Sequence, residues 1–178
     1  MKKQDLIILS VVLLALVVVR TVFNIPNFNP LGAVALMGGM LATKRIWAWL
    51  VPFTALFAGD VILSFSSPIY SEYLFSANFF FVYASFAAII GLGIYFRKNP
   101  SLTKVLGGSI LAAVAFFLIT NAGSWIVMPE YTKDLSGLMT SYEMALPFFR
   151  GTLVSQVVFS FGIFLVYQLS TNKKVVLA

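Results

Sequence analysis

Long apolar runs alternate along this chain with short gaps that carry nearly all of its charge. The sign of that charge changes from one gap to the next. Lys2 and Lys3 precede the first run, Lys44 and Arg45 follow the second, Arg97, Lys98 and Lys104 follow the fourth, and Lys173 and Lys174 follow the last. The gaps between these hold Glu72, then Glu130, Asp134 and Glu143, with Lys133 as the one cation outside an apolar stretch. Lys and Arg are retained on the cytoplasmic side of a membrane, so the alternation assigns each gap a side.

With 60% hydrophobic and only 10% charged residues, the chain cannot cover itself with a water-compatible surface. A soluble domain carries about 25% charged residues. The expectation is an all-α integral membrane bundle, a single transmembrane domain over residues 1–178. Six spans are expected, at about 6–22, 30–43, 46–65, 77–96, 105–127 and 144–169, each needing about 20 apolar residues. Both termini then fall in the cytoplasm, as do nine of the twelve cations. The net charge of +6 follows from this topology, so no nucleic-acid partner is expected. The basic, apolar N-terminus resembles a secretory signal, but Val17, Val18, Val19 and Arg20 stand where a small-x-small cleavage site belongs, and it reads as an uncleaved first helix.

The second span is short. The sixteen residues 30–45 rise about 24 Å as helix, which predicts that it packs inside the bundle or enters obliquely. Ala35/Gly39 and Gly38/Ala42 are small-xxx-small pairs that let helices approach closely, and Gly91 and Gly93 suit the same purpose in span 4. FNIPNFNP at 23–30 reads as a turn, with Asn29 as a helix cap and Pro30 at the first helical position. Pro52 should kink span 3, and Pro147 falls in the first turn of span 6.

Placed by depth, the polar side chains converge on the outer end of the bundle. Arg20 ends span 1, Asn24, Asn27 and Asn29 form the first outer loop, and Asp60 lies in the outer third of span 3. Asn78 opens span 4, Asn121, Ser124 and Trp125 end span 5, Glu143 and Arg150 flank the start of span 6, and Gln156 lies two turns deeper. An ionisable residue inside a span is costly and needs a partner or water. Two readings of Asp60 stand side by side: it pairs with Arg20 or Arg150 and locks helices together, or these groups line a wet pocket open to the outside. The Asn-rich loop is likewise either a plain turn or a cover over a bound solute. Phe79, Phe80, Phe81, Tyr83 and Trp125 are either belt residues or a stacking surface.

Much chemistry is excluded. The chain has no Cys and no His, hence no thiolate, no imidazole base and no metal site built from either. There is no GxxxxGK[ST] phosphate loop, no HExxH and no paired intramembrane Asp. No enzymatic activity, cofactor or metal is expected.

The stretch NFNPLGAVALMGGMLATKRIWAWLVPFTALFAGDVIL, residues 27–63, resembles the substrate-binding (S) components of energy-coupling-factor vitamin transporters. They too have a small-residue second span (Gly38–Gly39 here), a basic inner turn (Lys44–Arg45), and a third span ending in Gly-Asp (Gly59–Asp60). The same stretch, with TNAGSW at 120–125 and LPFFRGTL around Arg150, also resembles an uncharacterised family of small bacterial membrane proteins. The S-component resemblance implies uptake of a vitamin-like solute across the bacterial inner membrane, with a transmembrane coupling subunit and ATPases as partners besides the lipid bilayer. Span 1 lacks the Ala-xxx-Ala docking pattern of those components. The expected solute site joins Arg20, Asn27, Asn29, Asp60, Asn78, Asn121, Trp125 and Arg150, with the cations meeting an anionic group of the solute. The alternatives are a structural or assembly subunit with no ligand of its own, and an oligomeric channel.

Overall fold

The computed structural model describes residues 17, 18 and 28–171. The first expected span apart from Val17 and Val18, with Arg20, and most of the first loop, with Asn24 and Asn27, lie outside the described residues. The regular structure among those described is all helical, with no strand: α1 Leu31–Leu41, α2 Arg45–Ser64, α3 Pro68–Tyr73, α4 Ala77–Phe96, α5 Leu102–Val127 and α6 Leu135–Thr171. Four of these, α2, α4, α5 and α6, are long and apolar enough to cross a membrane. A helix satisfies its own backbone hydrogen bonds, the requirement that lipid imposes. Large apolar side chains such as Phe57, Leu111, Val158 and Val166 stand exposed on the outer surface of the bundle, where a membrane protein meets lipid.

Helix α1 is the hub. Its 11 residues rise only about 16 Å, half of a hydrocarbon core about 30 Å thick. It packs against α2, α4, α5 and α6, and Leu31, Ala33, Ala35, Leu36, Met37, Gly39 and Met40 are all buried. The short span is thus enclosed by the others, as its length and small residues predict. Small residues bring it close to α4. A Cβ on Gly93 would lie 2.1 Å from the Leu36 carbonyl oxygen and one on Gly39 2.5 Å from that of Ile90, so the two backbones touch. Gly91, paired with Gly93 in the sequence reading, has open space around it. The core continues through Leu31, Ala35 and Leu36 onto Ala48, Ala55 and Leu56 of α2, Phe86, Ile89 and Ile90 of α4 and Ala112 of α5.

The basic turns lie together at one end of this bundle. Arg97, just past α4, donates to the carbonyl of Ala42 at the end of α1 (3.2 Å), and Lys104 donates to the carbonyls of Lys98 and Asn99. Cations bound to the last carbonyls of a helix also meet the negative end of its dipole. Lys133, which breaks the charge alternation, has the same task at the opposite end: its ammonium reaches the carbonyls of Trp125 and Met128 in the last turn of α5, each at 2.6 Å.

Several boundaries differ from the sequence reading. Pro30 is itself the cap of α1, and the Asn29 Oδ1 accepts from the Leu31 N–H (3.1 Å). Residues 68–73, expected as loop, form α3 behind Pro68 at its first turn. The largest difference is α6, which begins at Leu135 and runs for 37 residues, about 55 Å. Most of the outer loop expected at 129–143 is therefore helix, and Pro147 lies well inside it. The start is set by Asp134, whose Oδ1 accepts from the Gly137 N–H and the Thr132 hydroxyl, both at 2.8 Å. Gly137 is needed there because a Cβ would lie 2.0 Å from the Thr132 carbonyl oxygen.

The Gly137 amide, followed by the Thr132 hydroxyl, holds the Asp134 carboxyl below its ordinary value of 3.8. A carboxylate with a depressed folded-state value stabilises the fold above its unfolded value and loses that contribution as pH falls through the folded one. Hydrogen exchange of the Gly137 and Leu138 amides is therefore expected to show pH-independent protection factors from pH 8 down to about 4, with protection lost only below that. Asp134→Ala should expose the same amides at every pH.

Candidate functional site

A hollow of about 200 Å³ opens between α1, α4, α5 and α6. Asn29 and Gly32 supply its wall at the start of α1, and Tyr73 of α3 closes one side. Val82, Phe86 and Ile89 of α4 and Phe116 of α5 give it an apolar floor, while Thr152, Ser155 and Gln156 of α6 give it a polar wall. A second hollow of about 240 Å³ adjoins it, shares Val82, Phe116 and Thr152, and adds Thr120 and Asn121 of α5 and Phe148 and Phe149 of α6. No Asp, Glu, Lys or Arg lines either hollow among the described residues.

Gln156 is the most informative group in this wall. The residue is 4% exposed, and its Nε2 is buried without a hydrogen-bond partner among the described residues. Most buried polar groups are paired, and an unpaired one costs about 1–3 kcal/mol. Its Oε1 occupies the space beside Gly32, where a Cβ would come within 2.4 Å. The glycine leaves room for the amide oxygen.

The residues expected at the site fall into separate places. Asn29 lines the first hollow and Asn121 the second. The Asn121 side chain donates to the Phe117 carbonyl (2.7 Å), while its own backbone carbonyl accepts from Ser141 (3.3 Å). Asp60 is 3% exposed and accepts from the Tyr83 hydroxyl (3.1 Å). Tyr83 stacks on Phe79 with ring centres 4.0 Å apart, and Phe79 in turn meets Tyr73 and Phe75. The aromatic run of span 4 is thus partly turned inward: Phe79 is buried and Phe81 rests against Gly123 of α5. Asn78 sits in the first turn of α4 with a buried Oδ1 that has no partner among the described residues. The Trp125 indole N–H donates to the Thr132 carbonyl (2.8 Å), so it braces the α5–α6 turn.

Arg150 lies on the exposed side of α6, in a shallow depression with Glu143, Leu146, Pro147 and Phe149. Arg20 and Asn27 lie outside the described residues. Of the six expected residues that are described, two line the hollows, and the polar wall of the first comes mainly from α6. A signal for that wall was present in the sequence. Thr152, Gln156 and Ser160 recur every fourth residue in an otherwise apolar helix, so they fall on one face. Among the described residues no group of three acidic side chains is arranged to hold a metal ion.

No curated protein and no solved structure matches this chain. Its length is matched by one family model, which spans residues 1–177. By that match, the chain belongs to the family of unknown function DUF6580.

Proposed function

We propose that the protein is a solute-binding uptake protein of the bacterial inner membrane that holds a small, neutral, vitamin-like solute in the hollow beside Gln156. The basic turns face the cytoplasm, so the hollow is reached from the outer side. Amides and hydroxyls from Asn29, Thr152 and Gln156 match the donors and acceptors of such a solute, and Phe86 and Phe116 give its ring an apolar surface. Among the described residues the lining carries no ionised group, which favours a neutral solute over the anionic one that the sequence reading attaches to Arg20 and Arg150. The resemblance to S components adds a coupling subunit and its ATPases as the source of energy. The observation that carries this reading is the unpartnered, buried Gln156 amide, which a ligand would satisfy.

Thermal unfolding of the purified protein against a panel of vitamins and related heteroaromatic amides tests it. One member is expected to raise the melting temperature, by an amount set by its concentration relative to Kd; at 100 Kd the gain is about 2.7 kcal/mol. Gln156→Leu should leave the ligand-free melting temperature unchanged or higher, because it removes a buried unpaired group. It should weaken binding about 10- to 100-fold. A panel with no stabilising member, or a Gln156→Leu variant that responds like the parent, refutes the reading.

A further inference from the structure

We infer that the polar wall continues past Gln156 to a second, inner subsite formed by the hydroxyls of Ser109 and Ser160, which takes a neutral hydrogen-bonding group and is closed toward the basic end by an apolar plug centred on Phe164. This inference deepens the solute-binding reading and rests on it. Both serines are fully buried, and among the described residues neither hydroxyl has a partner. That sets them apart from the other helical serines. Ser85, Ser124, Ser141 and Ser155 each donate to a carbonyl three or four residues back in their own helix. The same bond is within reach of any helical serine, so a buried hydroxyl that does not make it is held for something else.

Register places the two hydroxyls at one level. Helices α5 and α6 run antiparallel, with Asn121 beside Ser141 and Phe117 beside Tyr142 and Phe149. Val105 and Phe164 belong to one buried cluster with Met37 and Met40 of α1. One turn from that cluster toward the hollow lies Ser109 on α5 and Ser160 on α6, and one further turn along α6 lies Gln156. Successive groups are about 6 Å apart, a spacing that lets a small solute exchange one set of hydrogen bonds for the next. The buried centre of that cluster, Met37, Met40, Val105 and Phe164, carries no polar side-chain atom except thioether sulfur, and Tyr167 packs against it. Phe164 is 1% exposed, and methionine is the most adaptable of core side chains, so the seal can yield without loss of the surrounding packing.

The chain has no cysteine, so a single introduced thiol reports its own access. The probe is a membrane-impermeant cationic methanethiosulfonate reagent applied separately to each face of oriented vesicles carrying full-length Ser160→Cys, with Ser109→Cys as a second reporter and the lipid-facing Val158→Cys as control. Both reporter thiols are expected to react from the outer face at least 10-fold faster than Val158→Cys, and not from the basic face. Adding Phe164→Ala should open both to the basic face, with a rate gain of 10-fold or more, while Val158→Cys stays unreactive. Phe164→Leu, which keeps an apolar side chain there, should give an intermediate rate. The inference fails if the reporters react no faster than the control, or if Phe164→Ala leaves basic-face access unchanged. It also fails if Phe164→Ala exposes Val158→Cys equally, since that means general loosening. Loss of the Gln156-dependent ligand response with intact gating by Phe164 would instead reject the solute reading and keep the path.

Discussion

Gly93→Ala is expected to abolish the native bundle, or to lower its stability by about 3 kcal/mol or more, whereas Gly91→Ala two residues earlier is accommodated and raises stability by up to about 1 kcal/mol. A Cβ at Gly93 would lie 2.1 Å from the Leu36 carbonyl oxygen and 3.0 Å from the Gly39 Cα. The obstacle is backbone, which cannot turn aside as a side-chain end can. Overpacking in a well-filled core costs about 1–3 kcal/mol even when side chains give way. Here helix α1 itself must move, and α1 is the element against which four other helices pack. At Gly91 nothing lies within 4 Å, and alanine is the better helix former by about 1 kcal/mol. Yield of monodisperse protein and the unfolding midpoint in detergent separate the two variants. Equal behaviour would mean that α1 and α4 do not cross at these glycines.

The second large effect belongs to Asp60. The carboxylate is buried in α2 and accepts from the Tyr83 hydroxyl of α4, so it joins two helices through a group that lipid or a dry core would penalise. Removing one partner of a buried polar pair leaves the other with its desolvation cost, about 1–3 kcal/mol. Asp60→Ala is expected to destabilise by about that much and Tyr83→Phe by less, about 1 kcal/mol. Chemical unfolding of both single variants and the double variant gives their coupling, expected to exceed about 0.5 kcal/mol. Additive effects would remove Asp60 from any role in holding α2 to α4. Solute binding is expected to be unaffected in Tyr83→Phe, since neither Asp60 nor Tyr83 lines the hollows.

Particular residues show why some of this was readable in advance. Lys44, Arg45, Arg97 and Lys104 mark one end of the bundle, and the structure brings them to one end because helices joined by short turns alternate direction. Pro30 and the cluster of small residues after it announced a short enclosed helix. The boundary of α6 was hidden because Ser136 and Gly137 carry the composition of a loop. Only the Asp134 cap and the fit of Gly137 under the Thr132 carbonyl show that a helix begins there. The site was partly hidden for a related reason. Charge attracts notice in an apolar sequence, so Asp60 and Arg150 stood out, yet one is engaged with Tyr83 and the other stands on the exposed face of its helix. The uncharged series Thr152, Gln156 and Ser160 has the regular spacing of one helix face but no charge to distinguish it from ordinary helical polar residues.

By itself, the order of residues determined that this is an apolar helical protein suited to a membrane. That follows from one-dimensional quantities: the length of each apolar run against the thickness of a bilayer, and the placement of cations between runs. Tertiary packing alone decided which polar groups meet and which are left unpaired. A hydrogen bond is made or missed over a few tenths of an ångström, and that depends on how closely glycines such as Gly32, Gly39 and Gly93 let neighbouring backbones approach, a distance that no pattern of residue types contains.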